Sequence, residues 1–143
     1  MATPIATDPA SAAPSTEDWP TGEPAIRTIA MPCDTNPEGD IFGGWLVSQM
    51  DLAASSTAFK LARGRCATVA LDGMSFLSPV FVGDEVSLFC SVVHVGRTSI
   101  RIDVQAWRRR RDGGAGNQVT RGVLTFVAID ADRRPRPVDA PSS

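Results

Sequence analysis

Between Asn36 and Asp51 the chain gathers several polar and glycine residues whose types and spacing could do chemistry. Asp51 lies in the run GGWLVSQMDLAASSTAFKLARG, where apolar residues recur at helical spacing. It falls at the rim of the apolar stripe, beside Val47, Ala54 and Ala58. Aspartate is a modest helix former, and in mid-helix it stands beyond the first turn, where the macrodipole would favour it. A boundary residue looking into water is the competing reading, and the wheel alone does not separate the two. Gly43 and Gly44 open the same helix. Unpaired N–H groups there present a positive field, and glycine lets a ligand approach the backbone closely. Gly43 and Asp51 are about two turns apart, roughly on one side of the helix. A carbonyl oxygen held at the glycines would bring its carbon toward the carboxylate, joining an electrophile site to a base.

The loop before the helix adds Asp34, Asn36 and Asp40. The Asn36 amide could orient water or a substrate carbonyl, although such a residue more often caps a turn. Asp40 is placed to cap the helix or its preceding turn. His94, the single histidine, reads as a strand-end residue next to Gly96. Ser48, Ser55 and Ser56 lie on the helix without a histidine partner, and the chain has no GxSxG elbow, which argues against serine-triad hydrolysis. Cys33, Cys66 and Cys90 form no CxxC pair and have no metal-like spacing. Their odd number points to reduced thiols and a cytoplasmic setting.

The elements that must position these residues are one helix and a sheet. Ile26 to Met31 reads as a short strand ending at Pro32, and residues 32–42 as a loop dense in turn formers. The helix runs from near Gly43 to about Arg63, with Gly64 as its C-cap. Leu46, Val47, Met50, Ala53, Ala54, Thr57, Ala58 and Leu61 form its apolar stripe. Four strands follow, over Cys66–Phe76 (with Gly73 as a bulge or close approach), Glu85–Val95, Thr98–Trp107 and Val119–Ile129. In the third of these, Ile100, Ile102, Val104 and Ala106 face inward, and Arg101, Asp103 and Gln105 outward. Short turns between successive strands imply antiparallel pairing, so the fold class is α+β, one long helix on a sheet.

The chain has 143 residues, 43% of them hydrophobic, enough for the core of one domain. The reading gives a Pro/Ala-rich tail over residues 1–24, a domain over 25–131 and a flexible tail over 132–143. A net charge of −2, from 14 basic and 16 acidic residues, gives no support to bulk nucleic-acid binding. Arg108 to Arg111 is a run of four, read as a solvated strand end or as a patch for a phosphorylated small molecule. No window approaches the roughly 18 apolar residues of a membrane span, and the N-terminus lacks the layout of a signal peptide.

The stretch MPCDTNPEGDIFGGWLVSQMD (31–51) resembles the signature segment of the YciA-like acyl-CoA thioesterases, relatives of the brain-type acyl-CoA hydrolases. The similarity continues through RGRCATVALDGMSFLSPVFVGD (63–84), VGRTSIRIDVQAW (95–107) and TFVAID (125–130). The resemblance implies a hotdog fold, a curved antiparallel sheet wrapped round the long helix. It also implies dimers paired edge to edge, assembled as a trimer of dimers, with active sites at the dimer interface. By the same resemblance Asp51 is the catalytic acid, Asn36 comes from the neighbouring subunit, and Gly43 and Gly44 polarise the thioester carbonyl. Arg65, Arg97 and Ser99 are carried as contacts to coenzyme A. Phe42, Met50 and Met74 are expected to line the acyl channel. Neither a metal nor an organic cofactor is implied. The rival readings are a hotdog hydratase or dehydratase, which would need a histidine paired with an acid, and a non-catalytic acyl-CoA-binding module. The proline-rich first 24 residues, the PE at 37 and 38, and the short arginine-rich C-terminus depart from the family pattern.

Overall fold

The structure, a computed structural model, describes residues 19–140. Most of the expected N-terminal tail therefore lies outside the described residues. Strand β1 (Ile26–Ile29) leads through a 3-10 turn at Pro32–Asp34 to helix α1 (Gly43–Ala62). Strands β2 (Cys66–Phe76), β3 (Glu85–Val95), β4 (Ser99–Arg109) and β5 (Asn117–Ala128) follow. They form one antiparallel sheet in the order β1-β3-β4-β5-β2, so β2 is an edge strand.

Helix α1 lies across this sheet and touches β4, β2, β3 and β5. Leu46, Met50, Ala53, Ala54, Ala58 and Ala62 are its buried residues. Small alanines let the backbone come close to the sheet, while Leu46 and Met50 fill the space beside Ile100, Ile102, Val104, Leu124 and Phe126. Leu61, expected on the apolar stripe, is exposed, and Ala62 takes the inward place. The helix stops one residue earlier than its glycine suggests. Arg63 adopts the left-handed conformation (φ 52°), and the N–H of Gly64 then donates back to Phe59 O at 3.2 Å.

Strand β4 alternates as expected, with one correction. Asp103 points to the outer face yet is buried, because the Arg121 guanidinium lies over it and donates to Oδ1 at 2.7 Å. Gly73 has φ 70° and sits in an irregularity of the β2–β5 pairing between Asp72 and Ser75, and a second irregularity falls between Thr68 and Ala70.

Both ends of the domain extend further than composition suggests. Trp19 packs against Phe89 and Trp107 on the outer sheet face, with the Arg109 guanidinium 4.7 Å from its ring centre. At the other end, the segment expected to fray from Asp132 is fastened through Ala140. Its Arg136 is buried and donates to the carbonyls of Ala62, Ile129, Pro137 and Ala140. Val138 enters the core. The arginine run also divides. Arg108 forms a largely buried ion pair with Asp84 (3.0 Å), Arg109 covers Trp19, and Arg110 and Arg111 stay exposed.

Candidate active site

Asp51 sits in the ninth position of α1, on the flank of the helix that faces β2, and is partly exposed. The hydroxyl of Thr68, on β2, donates to its Oδ1 at 2.6 Å. That is the short geometry of a hydroxyl bound to a charged acceptor. It leaves the second oxygen, Oδ2, without a hydrogen-bond donor among the described residues. Thr68 carried no signal in the sequence reading. It lies 17 positions downstream, in a strand read only for its β-forming composition.

The helix start is assembled by the loop before it. Asn36 Oδ1 accepts hydrogen bonds from the N–H groups of Glu38 and Asp40, both at 3.0 Å, and Asn36 N–H donates to Asp40 O at 2.7 Å. The side chain therefore folds a tight turn, while its amide nitrogen has no acceptor among the described residues. Thr35 and Ile41 bridge across the loop, and Phe42 N–H donates to Asp34 O, which fixes where α1 begins. Asp40 does not cap the helix: the N-cap residue is Phe42, without a side-chain cap bond. The N–H groups of Gly43 and Gly44 consequently have no acceptor among the described residues. A side chain at Gly43 would come within 3.4 Å of the Phe76 ring, whereas Gly44 opens onto free space.

Within one chain these parts do not converge on a single atom group. Gly44, rather than Gly43, shares the angular position of Asp51, because seven residues come within about 20° of two full turns and eight overshoot by about 80°. Seven residues also rise about 10 Å along the axis, whereas a carbonyl carbon and oxygen are about 1.2 Å apart. The expectation that one carbonyl reaches both groups of the same helix is therefore corrected.

The thioesterase superfamily profile matches residues 38–115, from the turn after Asn36 past the end of β4. This chain belongs to the thioesterase superfamily. It is 53% identical over 116 residues to an uncharacterized acyl-CoA thioester hydrolase of Zymomonas mobilis, covering 81% of this chain and 78% of that one. It is 42% identical over 125 residues to the acyl-CoA thioester hydrolase YciA of Escherichia coli K12, covering 85% and 95%. Among solved structures, the hexameric thioesterase y2039 of Yersinia pestis superposes with a TM-score of 0.80 at 44% identity, over 85% of this chain and 99% of that one. The hexameric hotdog fold thioesterase Cj0915 of Campylobacter jejuni gives 0.77 at 41%, over 81% and 90%. The fold is the hotdog fold.

The other residues singled out for this thioesterase-superfamily site fall in two places. Phe42 is half exposed beside the helix start. Met50 is wholly buried and Met74 packs over Gly122 into the core, so neither lines an open channel within the chain. Arg65, Arg97 and Ser99 cluster at the opposite end of the helix, where Arg65 O accepts from Ile129 N–H and Arg97 O accepts from Val138 N–H. Arg97 borders a cleft with Leu61, Val95 and Val138. His94 is exposed on β3, separated from β2 by β4 and β5, so within one chain it does not pair with Asp51. The three cysteines are dispersed, and burial pushes the Cys90 thiol up to about 11.

Proposed function

We propose that this chain hydrolyses the thioester of acyl-CoA to a free acid and coenzyme A, at a site shared by two subunits. The observation that carries this reading is the Asp51 carboxylate held on the Thr68 hydroxyl at the open edge of the sheet. Asp51 acts on the carbonyl carbon in one of two ways. It takes a proton from water as the water oxygen attacks, or it attacks directly to give a mixed anhydride that water then cleaves. In both, the C–S bond breaks and the departing sulfur ends as the protonated thiol. Gly43 and Gly44 donate to the carbonyl oxygen as it gains charge, a type of contact worth about 2.7–4 kcal/mol of barrier.

Antiparallel pairing of β2 with β2 of a second copy supplies the missing convergence. A two-fold axis reverses the partner's helix, so its glycine end comes beside this chain's Asp51. For Asp51 to meet the partner's helix start, the axis must lie about 5 Å from Asp51 toward the helix N-terminus. Carried across to the antiparallel β2, that is between one and two residues beyond Thr68, at about Ala70. Ala70 is close to the middle of Cys66–Phe76, where a symmetric pairing of the strand would be centred. Asn36 comes with the partner's helix start and offers its amide nitrogen. This chain's own Arg65, Arg97 and Ser99 then lie toward the C-terminal end of its helix, roughly 16 Å beyond Asp51, where they can hold the phosphates of coenzyme A. Three such dimers form a hexamer, the assembly named for the solved relatives.

Release of free thiol from a panel of short to long acyl-CoA substrates tests the activity. Asp51→Asn should lower kcat by at least about a hundredfold while the oligomer stays intact. Equal turnover by both proteins would remove Asp51 from the chemistry, and binding of acyl-CoA without turnover by the wild type would leave a binding module.

A further inference from the structure

We infer that Phe76 is a positioning residue of the carbonyl-oxygen site: its ring closes the Gly43 side of the helix start and leaves the Gly44 side as the way in. The inference rests on the acyl-CoA reading above and adds a residue to it.

The irregular pairing of β2 brings Phe76 to this place. Thr68 and Leu71 lie opposite Phe126 and Leu124, on the face of the sheet that packs against the helix. Between Asp72 and Ser75 the strand holds one residue more than β5 does between Val123 and Arg121. One extra residue turns every following side chain to the other face. Phe76 consequently lies opposite the buried Thr120, on the helix side, whereas strict alternation from Leu71 would send it outward. Gly73, at φ 70°, supplies the conformation that the extra residue needs.

The rim of the ring is what meets the helix. Its Cζ, Cε1 and Cε2 atoms are 3.4, 3.7 and 3.8 Å from where a Cβ on Gly43 would stand, while nothing lies within 4 Å of the same place on Gly44. Phe76 is nevertheless 42% exposed, because β2 is an edge strand whose outer side is uncovered within one chain. An apolar ring suits this position. Helix caps are made by side-chain oxygens, so phenylalanine covers the helix start without occupying its N–H groups. The rim is also the positive part of the aromatic quadrupole, and it is turned toward the glycines, where negative charge gathers on the carbonyl oxygen in the proposed reaction. Excluding water from one side strengthens the amide contacts that remain.

Thiol release by the wild type, Phe76→Leu and Phe76→Ala, over short and long acyl-CoA substrates, tests the assignment. Phe76→Ala should lower kcat by about tenfold with KM within about twofold, and by the same factor at every acyl length. Phe76→Leu keeps an apolar cover without the aromatic rim, and its kcat should fall between the two with wild-type far-UV circular dichroism. Unchanged kcat in both variants, beside an impaired Asp51→Asn, would overturn the assignment and leave the enzymatic reading intact. A loss that grows with acyl length, or a rise in KM at constant kcat, would make Phe76 a wall of the substrate channel and overturn it too. Loss of the native fold in both variants would mark the ring as structural, with the same consequence. A wild type without turnover would remove the enzymatic reading and this role together.

Discussion

The Thr68 hydroxyl and the Asp51 carboxylate come from different elements, and their 2.6 Å contact restricts the carboxylate's rotation. An exposed aspartate would otherwise sample several rotamers, only some of them aimed at a bound acyl group. In the proposed mechanism Thr68 is therefore a positioning residue. Thr68→Ala should lower kcat by about tenfold, the value of one hydrogen bond to a charged group, with KM little changed. Thr68→Ser should restore most of the rate, because it returns the hydroxyl without the methyl. A proportional rise in KM with constant kcat, measured by thiol release, would instead mark Thr68 as part of substrate binding. Asn36 illustrates why residue type alone was ambiguous: its oxygen folds the turn while its nitrogen stays available, so the structural and functional readings apply to different atoms.

At the scale of elements, α1 is the beam that sets the distance between the glycine amides and Asp51, and each of its ends is held differently. The N-terminal end is left open by the Asn36 turn. The C-terminal end is closed by Arg136, whose guanidinium reaches Ala62 O at 3.0 Å and three further carbonyls. A cation there also meets the negative end of the helix dipole. Arg136→Ala would strand these buried carbonyls and is expected to cost about 3 kcal/mol, read as a lowered midpoint in denaturant with an unchanged slope. Arg136→Lys should recover only part of this, since a single ammonium cannot span the same acceptors. An unchanged midpoint for Arg136→Ala would mean that the C-terminal segment contributes nothing to the fold.

At the scale of the whole molecule, a site divided between subunits makes a prediction that a self-contained site does not. Asp51→Asn and Asn36→Ala chains, each impaired alone, should regain activity when unfolded together and refolded as a mixture. Half of the dimers formed are mixed, and each mixed dimer holds one site with both native residues. Recovery should therefore approach about a quarter of the wild-type rate for random two-fold pairing. A mixture no more active than the average of its two components would show that Asp51 and Asn36 serve the same chain's site.

Much of this molecule was readable in the sequence because the signals are local. Helical periodicity, strand alternation and turn residues gave the element order, and strands β2 and β3 lie where composition placed them. The polar residues near the helix start were visible for the same reason: glycine and aspartate are conspicuous in an apolar helical run. Three features depended on the tertiary fold. The partnership of Asp51 with Thr68 joins positions that only the helix-on-sheet packing brings together. The fastening of residues 132–140 depends on Arg136 finding the end of a helix 74 positions earlier, so a composition that reads as a frayed tail is folded. The 10 Å between the glycines and the carboxylate follows from the rise of a rigid helix. Periodicity identifies a shared side, but distance along the axis decides whether two groups can reach one carbonyl, which is why the proposed site draws on a second chain.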